Sequence, residues 1–155
     1  MLVPRAVMSL LALYGISLVG TVVWVANPEV AAALCVVRGG LPPIAVGLVA
    51  AAGQLTTAML LFRFGAELRR RWRWFDARCA RVRERAGARL VRNASWVMAT
   101  SGLVGVPPVA ATATLAAGMG IPVAHFVPIV LLTRVIRFTA IALLAAHAHV
   151  GVLGR

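Results

Sequence analysis

The sequence predicts an all-α integral membrane protein made of two inverted repeats, each a broken re-entrant helix followed by a transmembrane helix. Composition is the first observation behind this prediction. The chain has 155 residues, is 61% hydrophobic and has a mean hydropathy of +0.92, well above the roughly 45–50% apolar content of soluble domains. The second observation is an internal repeat. Residues 28–43 correspond to residues 107–122 at a constant offset of 79, with Pro28, Gly39 and Pro43 falling on Pro107, Gly118 and Pro122. Paired apolar segments interrupted by Gly and Pro mark discontinuous membrane helices with a site between two repeats. The third is the distribution of charge. All 16 basic residues are arginine, and eleven of them lie in residues 63–92 with three of the four acids, giving that stretch a net charge of +8. A basic block flanked by long apolar runs is the pattern of a cytoplasmic connection.

The whole chain reads as a single membrane domain, residues 1–155. Residues 1–26 form the first transmembrane helix, with the uncharged run 6–26 following Arg5. At ~1.5 Å per residue such a run spans a ~30 Å hydrocarbon core. It is longer than a signal-peptide apolar region, and no A-x-A cleavage site follows it.

Residues 27–65 form the first repeat. Segment 28–42 is broken by Arg38-Gly39-Gly40 and Pro42-Pro43 and is too short to cross, which favours a re-entrant element. The run from Pro43 to about Phe62 is long enough to span, and proline suits its first turn because no helical N–H partner is needed there.

Residues 66–92 read as one basic amphipathic cytoplasmic helix. Leu68, Trp72, Phe75, Cys79, Val82, Ala86 and Leu90 recur at helical spacing, with arginines at the other positions. Arg69, Arg70, Arg71, Trp72, Arg73 and Trp74 form a candidate lipid surface, because cationic helices with aromatic anchors settle at anionic interfaces. A solvated helix whose charge acts only as a topology signal satisfies the same pattern. No nucleic-acid-binding module accompanies the charge.

Residues 93–148 form the second repeat, broken by Gly102, Gly105, Pro107-Pro108, Gly118 and Gly120, and ending in an apolar run that contains Arg134 and Arg137. These elements give three crossings. With the basic block inside, the N-terminus is expected in the cytoplasm of a bacterial inner membrane. The first re-entrant then enters from outside and the second from inside.

Intramembrane charges are costly, and by default they mark function. Arg134 and Arg137 are i and i+3 on one helix face. Glu29 is the only acid outside the basic block and the natural counter-charge. Glu29, Arg38, Gln54, Arg134 and Arg137 therefore make up the candidate binding set. An interfacial, snorkelling role is the other reading for the charged members. There is no Ser/His/Asp arrangement, phosphate loop, paired carboxylate or metal-ligand spacing. An enzyme, a cofactor and a metal are not expected. Cys35 and Cys79 make no disulfide framework.

Asn27-Pro28-Glu29, Gly39, Pro43 and Gly53-Gln54, followed by Gly105-Val106-Pro107-Pro108, Ala117-Gly118-Met119 and Thr133-Arg134-Val135-Ile136-Arg137-Phe138, resemble the DedA/VTT (SNARE-associated Golgi protein) superfamily, most nearly its short bacterial branch. The resemblance covers about residues 27–140. It implies inverted re-entrant repeats and a role in translocating a lipid or anionic lipid carrier between leaflets, or in membrane homeostasis. The family's re-entrant acid falls on Glu29. Its acid in the following helix falls on Gln54, which cannot titrate, and its repeat-two arginines fall near Ala110 and Val104. The expected partners are membrane lipids with anionic headgroups and a second copy of the chain. A non-transporting scaffold acting through the Arg/Trp helix and a small-solute transporter remain as alternatives.

Overall fold

The computed structural model describes residues 4–21, 23, 27–86, 89–105 and 108–153, and among them the secondary structure is entirely helical. The elements are α1 Arg5–Gly20, α2 Pro28–Val37, α3 Pro43–Arg71, α4 Arg73–Ala86, α5 Arg89–Val104, α6 Val109–Gly118 and α7 Val123–Leu153. Pro107 lies outside the described residues. Two helices, α3 and α7, are long and apolar enough to cross a membrane. The chain divides into two compact units, residues 1–56 with 134–155, and residues 57–133.

Two elements differ from what the sequence predicts. The first helix is 16 residues long, about 24 Å, and falls short of the ~20 residues a crossing needs. Among the described residues two helices therefore have crossing length, where three were expected. The stretch 66–92 is not one helix. It comprises the last turn of α3, then α4, then the start of α5. Arg69 and Arg73 are like charges at i and i+4, which oppose continuation through Trp72. Residues 87–88, between α4 and α5, lie outside the described residues. The helices on either side of α4 also correspond in length. α1, α2 and α3 have 16, 10 and 29 residues, and α5, α6 and α7 have 16, 10 and 31. Each set is a helix, a short helix and a long helix, with α4 joining the two.

In the unit of residues 1–56 and 134–155, α1 and α2 form an antiparallel hairpin. Cys35 near the end of α2 lies 3.9 Å from the Ser9 carbonyl near the start of α1. Asn27 caps α2 by accepting hydrogen bonds from the N–H groups of Glu29 (2.9 Å) and Val30 (3.4 Å). Pro28 occupies the first turn, where no N–H is required. The chain leaves α2 at Gly40, whose φ of +61° suits a residue without a Cβ. It re-enters a helix at Pro43, and ten residues later Gly53 packs against the Tyr14 carbonyl and the Ser17 side chain. α3 therefore leaves the Ser9 end of α1 and passes Ser17, so α1 and α3 run parallel. Tyr14 and Thr56 share a hydroxyl hydrogen bond of 2.9 Å. Leu13, Ala32, Val36, Leu41, Val46, Ala50, Phe138 and Ala142 form the core.

The unit of residues 57–133 repeats this plan. The hydroxyls of Ser101 on α5 and Thr112 on α6 are 3.3 Å apart. Ser95 meets His125 Nε2 at 3.0 Å, and seven residues later Gly102 meets Thr133, so α5 and α7 also run parallel. Phe62 and Phe126 pack with ring centroids 4.8 Å apart. α6 ends as α2 does, on a glycine of positive φ, Gly120 at +77°. The turns align Gly40, Leu41 and Pro42 with Gly120, Ile121 and Pro122, at an offset of 80. Within the short helices the corresponding carbonyls, Cys35 and Ala116, stand 81 apart, so neither alignment keeps the offset of 79 seen in sequence, and the α2 turn is one residue wider. Leu41 N–H reaches the Cys35 carbonyl six residues back, whereas Ile121 N–H reaches Ala116, five back.

Candidate functional site

The N-terminus of α2 places Glu29 one residue after Pro28, where the helix dipole favours a carboxylate. Arg137 Nη2 of α7 donates a hydrogen bond to Glu29 Oε1 and forms an ion pair with it. The side chains are 20% and 36% exposed, for Arg137 and Glu29 respectively. Arg134, one turn earlier on α7, is 6% exposed and within electrostatic reach of both. The trio carries one acid and two bases, a surplus of one positive charge in a largely desolvated place. Such a group can exchange its internal carboxylate for the oxygens of an external anion.

Gln54 on α3 is also buried in this unit, at 5% exposure. Its Oε1 has no hydrogen-bond partner among the described residues, nor do Ser17 Oγ and Thr139 Oγ1. Gln54 is legible in sequence, but the two hydroxyls are not, because Ser and Thr within an apolar helix usually bond their own backbone. Ser9 and Thr133 do so, to the carbonyls of Arg5 and Ile129.

Arg38 stands apart from the other sequence-predicted residues. It follows α2 at the end opposite Glu29, nine residues or ~14 Å along the helix, and is exposed. There it lines a cavity of about 360 Å³ between α1 and α2, with Ser9, Leu13, Ile16, Leu34 and Cys35.

The residues of the repeat motif hold the turns rather than the charges. Pro28 opens α2, Gly39 sits in the turn after it, and Pro43 opens α3. Pro108 precedes α6, Pro122 precedes α7, and Gly118 closes α6 beneath Phe75 and Cys79 of α4.

The Arg/Trp surface is narrower than its sequence suggests. Trp72 and Trp74 are 59% and 62% exposed, and the Arg78 guanidinium stacks 4.8 Å over the Trp74 ring. Arg70, Arg71 and Arg73 are exposed, and Glu67 pairs with Arg70 at 3.7 Å and with Arg71 at 2.5 Å. Arg69 is only half-exposed, because its guanidinium lies over the turn at Gly120. The Trp74–Arg78 stack has the i, i+4 spacing and was readable from sequence.

Comparison with family models, with curated proteins and with solved structures finds no match to this chain.

Proposed function

We propose that this is a DedA/VTT-like membrane protein that moves a lipid or anionic lipid carrier between leaflets, with Glu29, Arg134 and Arg137 as the headgroup site and Gln54 as a neutral polar contributor. The observation that carries the reading is the Arg137–Glu29 ion pair with the buried Arg134 beside it. A guanidinium fork matches phosphate oxygens bidentately. In the resting site Glu29 occupies Arg137. An arriving phosphate takes its place, draws on the surplus charge of Arg134, and leaves when Glu29 returns. No covalent step is required.

The within-unit geometry supports an inverted repeat in a bilayer. Residues 63–92 are placed in the cytoplasm by their arginines. α3 then ends inside, and α5, which follows it, begins inside. Because α5 and α7 are parallel, α7 runs from inside to outside, opposite to α3. Because α1 and α3 are parallel, α1 begins on the outer side. The α1–α2 hairpin dips in from outside and places Glu29 at its inner tip, and the α5–α6 hairpin dips in from inside. This topology moves the N-terminus to the outer face, in place of the cytoplasmic position expected from three crossings. A periplasm-active alkaline phosphatase fused before residue 1 is expected to be active, and a fluorescent protein that folds only in the cytoplasm is expected to be dark there. The opposite pair of results restores the cytoplasmic N-terminus.

The exposed Trp72, Trp74 and Arg73 favour a supporting role for α4 at the headgroup level. Changing Arg70, Arg71 and Arg73 to Gln is expected to lower affinity for anionic vesicles while leaving translocation per inserted molecule within about twofold, a loss of ~0.4 kcal/mol at most. Loss of the cellular phenotype with translocation intact would favour the scaffold reading.

A further inference from the structure

We infer that the cavity between α1 and α2 is a binding groove for one chain of a resident anionic phospholipid, whose headgroup sits at Arg38. The volume of about 360 Å³ falls within the ~300–1,000 Å³ of small-molecule sites. Its chemistry changes along its length. Arg38, Gly39 and Ser9 lie at one end, and Leu13, Leu34, Ala31 and Ile16 form apolar walls toward the other. Arg38 is in no ion pair among the described residues, and Arg5 begins α1 one turn before Ser9. Two guanidinium groups therefore belong to the same end of the hairpin, and among the described residues of this unit no acid accompanies them there. A groove that is cationic at one end and apolar along the rest has the polarity of an anionic lipid. In the topology proposed above, its cationic end lies at the outer headgroup level and its apolar part points toward the bilayer core, so the lipid enters without inverting. The site depends on the membrane setting of the chain. It is separate from Glu29 and Arg137, which lie at the other end of α2.

Cys35 lines this groove and makes occupancy measurable. In a Cys79→Ser background, the rate of maleimide labelling of Cys35 is compared in nanodiscs of phosphatidylcholine alone and of phosphatidylcholine mixed with phosphatidylglycerol. Labelling is expected to be several-fold slower with phosphatidylglycerol, and Arg38→Gln is expected to abolish the difference. Equal rates in the two lipids, protection that survives Arg38→Gln, or equal protection by inorganic phosphate in pure phosphatidylcholine would each overturn the assignment. A second measurement is native mass spectrometry of the detergent-solubilised protein. The parent is expected to retain one phosphatidylglycerol, and Ala12→Phe, which fills the groove, is expected to lose it. Retention by Ala12→Phe at the parental level overturns the proposal. Arg134→Gln with Arg137→Gln is expected to keep the lipid, so failure of the translocation site and failure of the groove are distinguishable.

Discussion

Replacing Arg134 and Arg137 together with Gln is expected to reduce headgroup-dependent lipid flipping in reconstituted liposomes by roughly two orders of magnitude or more. A hydrogen bond to a charged group contributes ~1.5–3 kcal/mol, and each 1.4 kcal/mol is about tenfold, so losing two guanidinium partners of one phosphate accounts for that factor. The single variants separate the roles. Arg137→Gln removes the partner of Glu29 and leaves a half-buried carboxylate next to the anion path, so it loses both binding and stability. Glu29→Gln has the opposite sign for binding. It removes the internal competitor and leaves the site with two positive charges, so the affinity for an anionic headgroup rises while turnover falls because the anion is not displaced. Breaking a fully buried pair costs ~3–5 kcal/mol. The 20% and 36% exposure here places the stability cost of Glu29→Gln below that range. Flipping that persists unchanged in the double variant would rule the site out. Equal loss in Glu29→Gln and Arg137→Gln, with headgroup affinity falling in both, would mean that the pair is a structural strut.

The charges were legible because a long apolar run gives each of them a reason to be noticed. Four acids in 155 residues left Glu29 as the one candidate for pairing with arginines more than a hundred positions away, and the structure joins Arg137 to it. The glycine and proline punctuation gave the two short helices. The correspondence of α1 with α5 was not legible. Its likeness to α5 lies in length and packing direction, and the sequences share no motif, because a lipid-facing or hairpin helix needs only apolar residues of adequate size. Arg38 was grouped with the binding residues because hydropathy reports depth and not direction along α2. The antiparallel hairpin decides that point by bringing Cys35 beside Ser9. The break at Trp72 was hidden because the apolar stripe from Leu68 to Leu90 keeps helical period across it, and periodicity registers which residues face inward without registering whether the backbone is continuous.

Gly53→Ala and Gly102→Ala are both expected to destabilise the protein, and what can rescue each follows from what the glycine touches. In lipid there is no hydrophobic drive for one apolar helix to meet another, and association depends on close packing and interhelical polar contacts at small residues. This chain repeats one such contact. Gly47 faces Thr139, Gly53 faces Ser17, Gly65 faces Thr114 and Gly102 faces Thr133. A Cβ on Gly53 would stand 2.6 Å from the Tyr14 carbonyl oxygen, a backbone atom held by α1, and 2.9 Å from Ser17 Cβ. A Cβ on Gly102 would overlap Thr133 Oγ1 and stand 2.6 Å from Thr133 Cβ, a stiff β-branched side chain that a second substitution can remove. Overpacking costs ~1–3 kcal/mol, opposed by the ~1 kcal/mol that Ala gains over Gly in a helix. Gly53→Ala is therefore expected to lower the thermal midpoint in detergent by several degrees. Ser17→Ala is not expected to restore it, because the backbone contact remains. Gly102→Ala is expected to lose at least as much, and Thr133→Gly is expected to recover part of that loss by removing the opposing side chain. The α1–α3 and α5–α7 contacts would then be shown to be tight through different atoms. If both alanine variants melt at or above the parental temperature, these glycines do not set the helix spacing, and the parallel α1–α3 and α5–α7 packing needs another cause.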